Sequence, residues 1–341
     1  MTAAAVGAAG APLLAVESVD VTLGRGWRAN RVLSGVDLDI WPGEIVGLVG
    51  ETGSGKTTLA RTVVGLVHPG QGRVVFEGLP ISTLRRRARR AQRRRGDLQL
   101  VFQDPLRSLD PDQTVAEIVG EGLRIRGETD RDEIRRQVTG ALDKVGLDAT
   151  VLERTPGQIS GGQRQRVSIA RALAVEPRLL ICDEPVSALD ASSRNYVLRL
   201  LDELRTSLGL AIVIISHDLS SLAGIADRVV VLYRGKIIED GPVGRVFATP
   251  RHPYTALLMA SAPSVRHDRP FSTHQLRRAG SDPVPPAVPG ACVFAARCPF
   301  AARACAVQPP LAAIGDRWSV ACHRHDEWAA LAQTRDRQKE G

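Results

Sequence analysis

The chain has 341 residues, 43% of them apolar, and a formal net charge of +8. That composition suits a globular protein with a real core, in one large domain or two ordinary ones, and excludes a disordered polyelectrolyte. No apolar run approaches the roughly 20 residues that a membrane-spanning helix needs.

The charge sits in one place. "RRRARRAQRRR", residues 85–95, holds eight arginines, and without them the chain is neutral. A broadly basic nucleic-acid surface is therefore not expected, and nucleic acid is not expected as a partner. Arg, Ala and Gln favour helix, so the run predicts a solvated helix, with a phospholipid or RNA contact as the sharper alternative.

In chain order, "MTAAAVGAAGAPLLAV" has the apolar look of a secretion signal without its basic start, so residues 1–13 are expected to be a disordered tail of a cytoplasmic protein. "LLAVESVDVTL" and "VLSGVDLDIWPGE" alternate apolar and polar residues, as half-buried antiparallel strands do, and "GRVVFEG" and "RVVVLYRGKIIEDG" predict further strands or hairpins. "EIVGLVG", "RLLICDEP" and "LAIVIISHD" are continuous apolar runs ending in polar residues, the pattern of buried parallel strands. "GGQRQRVSIARALAVEP" repeats Val167, Ala170, Leu173 and Ala174 at helical spacing. The expected fold is an α/β core with an added antiparallel sheet. From about Ser261 the prolines accumulate and periodicity is lost, which predicts a linker or irregular segment.

"GETGSGKT", Gly50 to Thr57, fits G-x-x-x-x-G-K-[ST] between an apolar strand and a helix, the context a phosphate-binding loop requires. Its glycines (Gly50, Gly53, Gly55) let backbone N–H groups around Ser54 turn inward, and the helix start at Lys56, Thr57 and Thr58 adds a partial positive charge. Lys56 reaches β- and γ-phosphates, and Thr57 offers its hydroxyl to Mg²⁺. In "LLICDEP", Asp183 closes a buried strand where a carboxylate holds Mg²⁺, and Glu184 is placed to polarise water. Cys182, inside that strand, reads as a small core residue.

These motifs sit in a pattern that resembles the ATP-binding cassette (ABC) ATPases over roughly residues 14–247. "ISGGQRQR" (Ile159 to Arg166) resembles the family signature, "VFQDP" the Q-loop with Gln103, "SALD" the D-loop ending at Asp190, and "SHD" the switch histidine at His217. The resemblance implies a P-loop core with an antiparallel β subdomain and an inserted helical subdomain at about 104–174. It implies that ATP and Mg²⁺ bind at Gly50–Thr58 and Asp183, with Gln103 as a further Mg²⁺ neighbour. Glu184, His217 and Gln103 would be catalytic. Ser160, Gly161, Gly162 and Gln163, with Asp190, would close over ATP held by a second ABC ATPase, copy or paralogue, in a head-to-tail dimer. Two transmembrane permease subunits would complete the assembly at the cytoplasmic face of the membrane. The family places an aromatic under adenine where this chain has Leu23, with Trp27 four residues later, so weakened nucleobase discrimination is expected.

"TPRHPYTALLMASAP" (Thr249 to Pro263), the Pro-rich stretch and the cysteine-bearing end resemble oligopeptide and dipeptide importer ATPases, a subfamily that includes nickel and glutathione importers. That implies an extracytoplasmic peptide-binding protein as a partner, and residues 248–341 as a small irregular metal-binding extension. A soluble ABC-type ATPase acting on nucleic acid is the alternative from another class. Cys292, Cys298, Cys305 and Cys322 are separated by 5, 6 and 16 residues. Cytoplasmic thiols rarely pair, and zinc knuckles use closer spacing, so a [4Fe–4S] cluster is expected, with zinc and His323 as the alternative. The tail is expected to hold too little apolar mass to fold alone and to be pinned against the ATPase core by the cluster, with nothing along the chain linking it to the Lys56–Glu184 site.

Overall fold

The computed structural model describes residues 10–187, 189–217, 219, 221–261, 271–278 and 290–337. Most of the expected N-terminal tail and much of the Pro-rich stretch lie outside these residues. In chain order the strands and helices begin with β1 (Leu14–Leu23), β2 (Asn30–Ile40), β3 (Ile45–Val49), α1 (Lys56–Val63), β4 (Gln71–Phe76), β5 (Leu79–Pro80), α2 (Arg86–Arg95) and β6 (Leu98–Val101). A helical stretch follows with α3 (Pro105–Ser108), α4 (Val115–Arg126), α5 (Arg131–Lys144) and α6 (Gly161–Leu173). Then come β7 (Leu179–Asp183), α7 (Ala191–Leu208), β8 (Ala211–Ser216), β9 (Arg228–Tyr233) and β10 (Lys236–Pro242). The C-terminal part adds α8 (Val243–Ala248), α9 (Pro253–Ser261), α10 (Thr273–Leu276), β11 (Ala312–Gly315), β12 (Trp318–Val320) and α11 (Trp328–Arg337).

The strands form two sheets, β2-β1-β4-β5 and β11-β12-β10-β9-β3-β8-β7-β6. In the larger sheet β3, β6, β7, β8 and β9 run parallel, and all but the edge strand β6 are buried on both faces. Successive residues serve opposite cores. Val46, Leu48, Val230 and Leu232 pack toward the smaller sheet. Ile45, Val49, Val229 and Val231 pack toward the helical stretch and the C-terminal extension. Cys182 is fully buried in the second core, and burial pushes its thiol up to about 12, as a small core residue behaves.

The α/β expectation holds, and the structure assigns the second hairpin to a sheet. The hairpin "RVVVLYRGKIIEDG" (β9–β10) does not join the antiparallel sheet. β9 pairs parallel to β3 and β10 folds back on β9, so the hairpin extends the central sheet. Helix α2 buries no residue, as the solvated-helix expectation requires, and ends in a left-handed Gly96.

The C-terminal extension departs more from expectation. Its hairpin β11–β12 is bonded to β10, so it continues the central sheet. Trp328, Phe294, Phe300 and Trp318 are buried in the same core as the parallel strands. The Trp328 ring lies 5.0 Å from that of Phe271 and 5.7 Å from that of Phe300. The expectation of too little apolar mass is therefore overturned: few aromatics are present, but the fold gathers them against one another.

Candidate active site

After β3 the chain turns through Gly50, Gly53 and Gly55, all at positive φ, before α1 begins at Lys56. Close approach makes two of these glycines obligatory. A Cβ at Gly50 would sit 2.2 Å from the Leu232 carbonyl oxygen, and one at Gly55 2.8 Å from Leu33 Cδ2. The loop is thus pressed against β9 and β2, with α1 aimed at whatever the loop encloses. Thr58 sits half-buried in the first turn of α1.

Lys56 Nζ donates to the carbonyls of Gly50 at 2.7 Å and Glu51 at 3.0 Å. Burial lowers the pKa of this ammonium, and Glu184, Asp183 and Glu51 oppose that shift. The Ser54 hydroxyl is buried with no hydrogen-bond partner. An unpaired buried hydroxyl is costly, and a phosphate oxygen in the loop is the acceptor that would satisfy it. The loop therefore fits a phosphate chain.

Asp183 ends β7 and accepts from Thr57 Oγ1 at 2.9 Å. Burial raises its carboxyl pKa, against the lowering effect of the Thr57 hydroxyl. A cation beside both oxygens would reverse that penalty, so the pair fits Mg²⁺. Next in the chain, Glu184 has φ of 51°, a left-handed conformation that a non-glycine residue adopts at a cost. Its N–H is held by the Ile215 carbonyl at 3.0 Å. That posture turns the carboxylate toward two of the predicted site residues. Gln103 Nε2 donates to Glu184 Oε2 at 2.8 Å, and His217 Nδ1 lies 3.2 Å from Oε1.

The remaining predicted residues form a second group. Ser160 caps α6, with Gln163 N donating to Ser160 Oγ at 3.2 Å and Ser160 N to Gln163 Oε1 at 2.9 Å. Asp190 caps α7, and hydrogen bonds from the Ser192 hydroxyl and from Ser193 hold its carboxyl at about 2. Gly162 faces α7, where a Cβ would lie 3.6 Å from Ser193 Oγ, while Gly161 is open. Leu23 is 42% exposed at the end of β1. The side chain of Trp27 lies outside the described residues.

Residues 33–187 match the ABC transporter family, and residues 238–305 match the oligopeptide/dipeptide transporter C-terminal region. A Brucella ovis protein named for peptide import and ATP binding is 44% identical over 299 residues, spanning 88% of this chain and 93% of that protein. The oligopeptide transport ATP-binding protein OppF of Escherichia coli (strain K12) is 42% identical over 305 residues, spanning 88% and 90%. The chain belongs to the ABC transporter ATPases. Among solved structures, the ATP-binding cassette MJ0796, captured as a dimer in a post-hydrolysis state with ADP and Pi, superposes with a TM-score of 0.62 at 29% identity. It covers 67% of this chain and 98% of its own. The Clostridium perfringens cbiO1, part of the ABC transporter complex cbiONQ, gives a TM-score of 0.62 at 31% identity, covering 70% and 92%.

In this ABC ATPase the first group brings Gln103 and His217 to Glu184, beside the Thr57–Asp183 pair. Mg²⁺ held by Thr57 and Asp183 would neutralise charge on the phosphates. The Glu184 carboxylate is fixed between Gln103 and His217, a posture that would suit a group acting on water. Two contacts were not foreseen. Glu51 N donates to Tyr254 Oη at 2.9 Å, and its carboxylate is clasped by Arg297 from the extension. These contacts join the extension to the ATP site in space, where the sequence shows no link along the chain. The only advance signal was the "TPRHPYTALL" segment, which marked the subfamily without saying what Tyr254 touches.

Proposed function

We propose that the chain is an ATP-hydrolysing subunit of an importer of dipeptides and oligopeptides. The observation that carries this reading is the match of residues 238–305 to an oligopeptide/dipeptide transporter region that is packed into the ATPase's own core. Ser160 and Gly161 are exposed at the start of α6, and no hydrogen bond ties them to Lys56 or Asp183 among the described residues, which supports a composite site. ATP on one subunit meets the Ser160 group of another, a paralogue or second copy, in a head-to-tail dimer. Two permease subunits receive the motion through the helices of residues 104–174, and an extracytoplasmic binding protein delivers peptide. The chain then works as a peripheral protein at the cytoplasmic face of the membrane.

Deleting the gene should abolish growth on small peptides supplied as the sole source of a required amino acid. A wild-type copy should restore it, and a Lys56→Ala copy should not. Normal peptide uptake with loss of nickel or glutathione uptake would replace the substrate class.

We also propose that Cys292, Cys298, Cys305 and Cys322 hold a [4Fe–4S] cluster. All four line one small cavity, with Phe300, His323 and Trp328 around them. Backbone N–H groups are directed at every sulfur: Phe294 and Ala295 at Cys292, Phe300 at Cys298, Ala302 at Cys305, and Arg324 at Cys322. Such donors favour thiolates and tune cluster potential. Burial otherwise pushes the Cys298 and Cys322 thiols up to about 12, so loading must release protons. Among the described residues no three His, Cys, Asp or Glu side chains are grouped to hold a metal ion, which counts against the cluster and the zinc alternative alike. Protein purified without oxygen should contain about four iron and four sulfide per chain. One zinc without sulfide would replace the cluster with a zinc site.

A further inference from the structure

The phosphate loop is tied to the cysteine extension through one residue. Glu51, the second residue of the loop, is held on three sides. Its N–H donates to Tyr254 Oη at 2.9 Å, and its carbonyl accepts from Lys56 Nζ at 3.0 Å. Its carboxylate receives both arms of Arg297, Nη1 to Oε2 at 2.7 Å and Nη2 to Oε1 at 2.9 Å. This two-pronged geometry is the strong form of a carboxylate–arginine pair.

Arg297 is itself fixed. Its N–H and that of the adjacent Cys298 both donate to the Phe294 carbonyl, at 2.9 and 3.0 Å. Phe294 is 1% exposed, and its ring packs 5.4 Å from those of Tyr254 and Tyr233. The Arg297 guanidinium also lies 5.8 Å from the Phe294 ring and 5.7 Å from that of Tyr233. The turn that carries Cys298 therefore determines where this guanidinium sits.

A carboxylate in a loop built to wrap a phosphate chain is a like charge beside the ligand. Left alone, Glu51 would repel phosphate more strongly as the ligand's charge rises. We propose that Arg297 is a positioning residue for ATP binding. It neutralises the loop's own carboxylate and, with Tyr254, sets the shape of the loop, so that the cysteine extension adjusts nucleotide affinity. The inference rests on reading Gly50–Thr58 as the ATP site. It assigns Arg297 no contact with the reacting atoms.

The test is calorimetric titration of the purified full chain with AMP, ADP and ATP at low and high salt. Arg297→Leu should weaken ATP binding about tenfold, equivalent to about 1.4 kcal/mol, with a smaller loss for ADP and little for AMP. The pair is half exposed, at 42% and 41%, so the loss should shrink at high salt. Adding Glu51→Gln to the Leu variant should restore most of the affinity, which also shows that the variant folds. Arg297→Lys, keeping the charge without the fork, should fall between. Equal losses for all three nucleotides, or no recovery in the double variant, would overturn the proposal in favour of a purely structural contact. Wild-type protein that binds none of the three would overturn the ATP-site reading itself.

Discussion

Glu184→Gln should lower steady-state ATP hydrolysis by about 10²–10⁴-fold while leaving ATP binding intact, the span expected for loss of a general base. The geometry supports a change that selective. Gln103 and His217 both meet the Glu184 carboxylate, whereas the Lys56 ammonium and the Thr57–Asp183 pair are held by contacts that the substitution does not touch. An amide keeps the size of the side chain and still accepts a hydrogen bond from Gln103. It cannot take a proton from water. The variant should therefore accumulate in the ATP-bound state when its partners are present. Turnover and nucleotide retention measured on the same preparation decide the matter. Hydrolysis near the wild-type rate would remove Glu184 from the role assigned to it.

The largest expected effect on stability is at Trp328. Its side chain is 0% exposed, packs on Phe271 and Phe300, and donates from Nε1 to the Arg251 carbonyl at 2.9 Å. Trp328→Ala removes the largest buried side chain of the extension and strands that carbonyl, costing about 3–5 kcal/mol. The ring also lines the cysteine cavity, so the loss should loosen the thiols as well as the helix that begins at Trp328. Urea unfolding and limited proteolysis of metal-free protein are the measurements to make. An extension that stays protease-resistant in the variant, with an unchanged midpoint, would show that the aromatic cluster does not hold it.

Much of the catalytic group was legible because its chemistry is written locally. A phosphate loop needs glycines, a lysine and a hydroxyl within eight positions of a strand end, and those constraints leave a pattern that survives without coordinates. Asp183 and Glu184 were legible for the same reason, at the polar end of an apolar run. The left-handed backbone at Glu184 was not, since nothing in the residue type announces it. The β9–β10 segment was legible as strands or a hairpin, but not the sheet it joins. Strand alternation reports which faces are buried and says nothing about which neighbour supplies the next edge. The Arg297–Glu51 clasp joins residues 246 positions apart, and neither residue type is unusual where it stands. In the extension, each aromatic counted singly is unremarked, and only their convergence on Trp328 makes a core.

The sheet order carries a consequence for how the chain must be handled. β12 pairs with β10 at Glu239 and Asp240, and Glu239, 0% exposed, accepts from the backbone of Arg251 and His252 and from the Trp318 indole. Every one of those donors lies beyond residue 247, the boundary at which sequence resemblance would end the ATPase. A fragment cut there would present a bare strand edge beside a carboxylate stripped of its donors. Exposed edges of that kind recruit other strands, so such a fragment should self-associate. The recognisable cassette and the unit whose β10 edge is covered are therefore different lengths of the same chain.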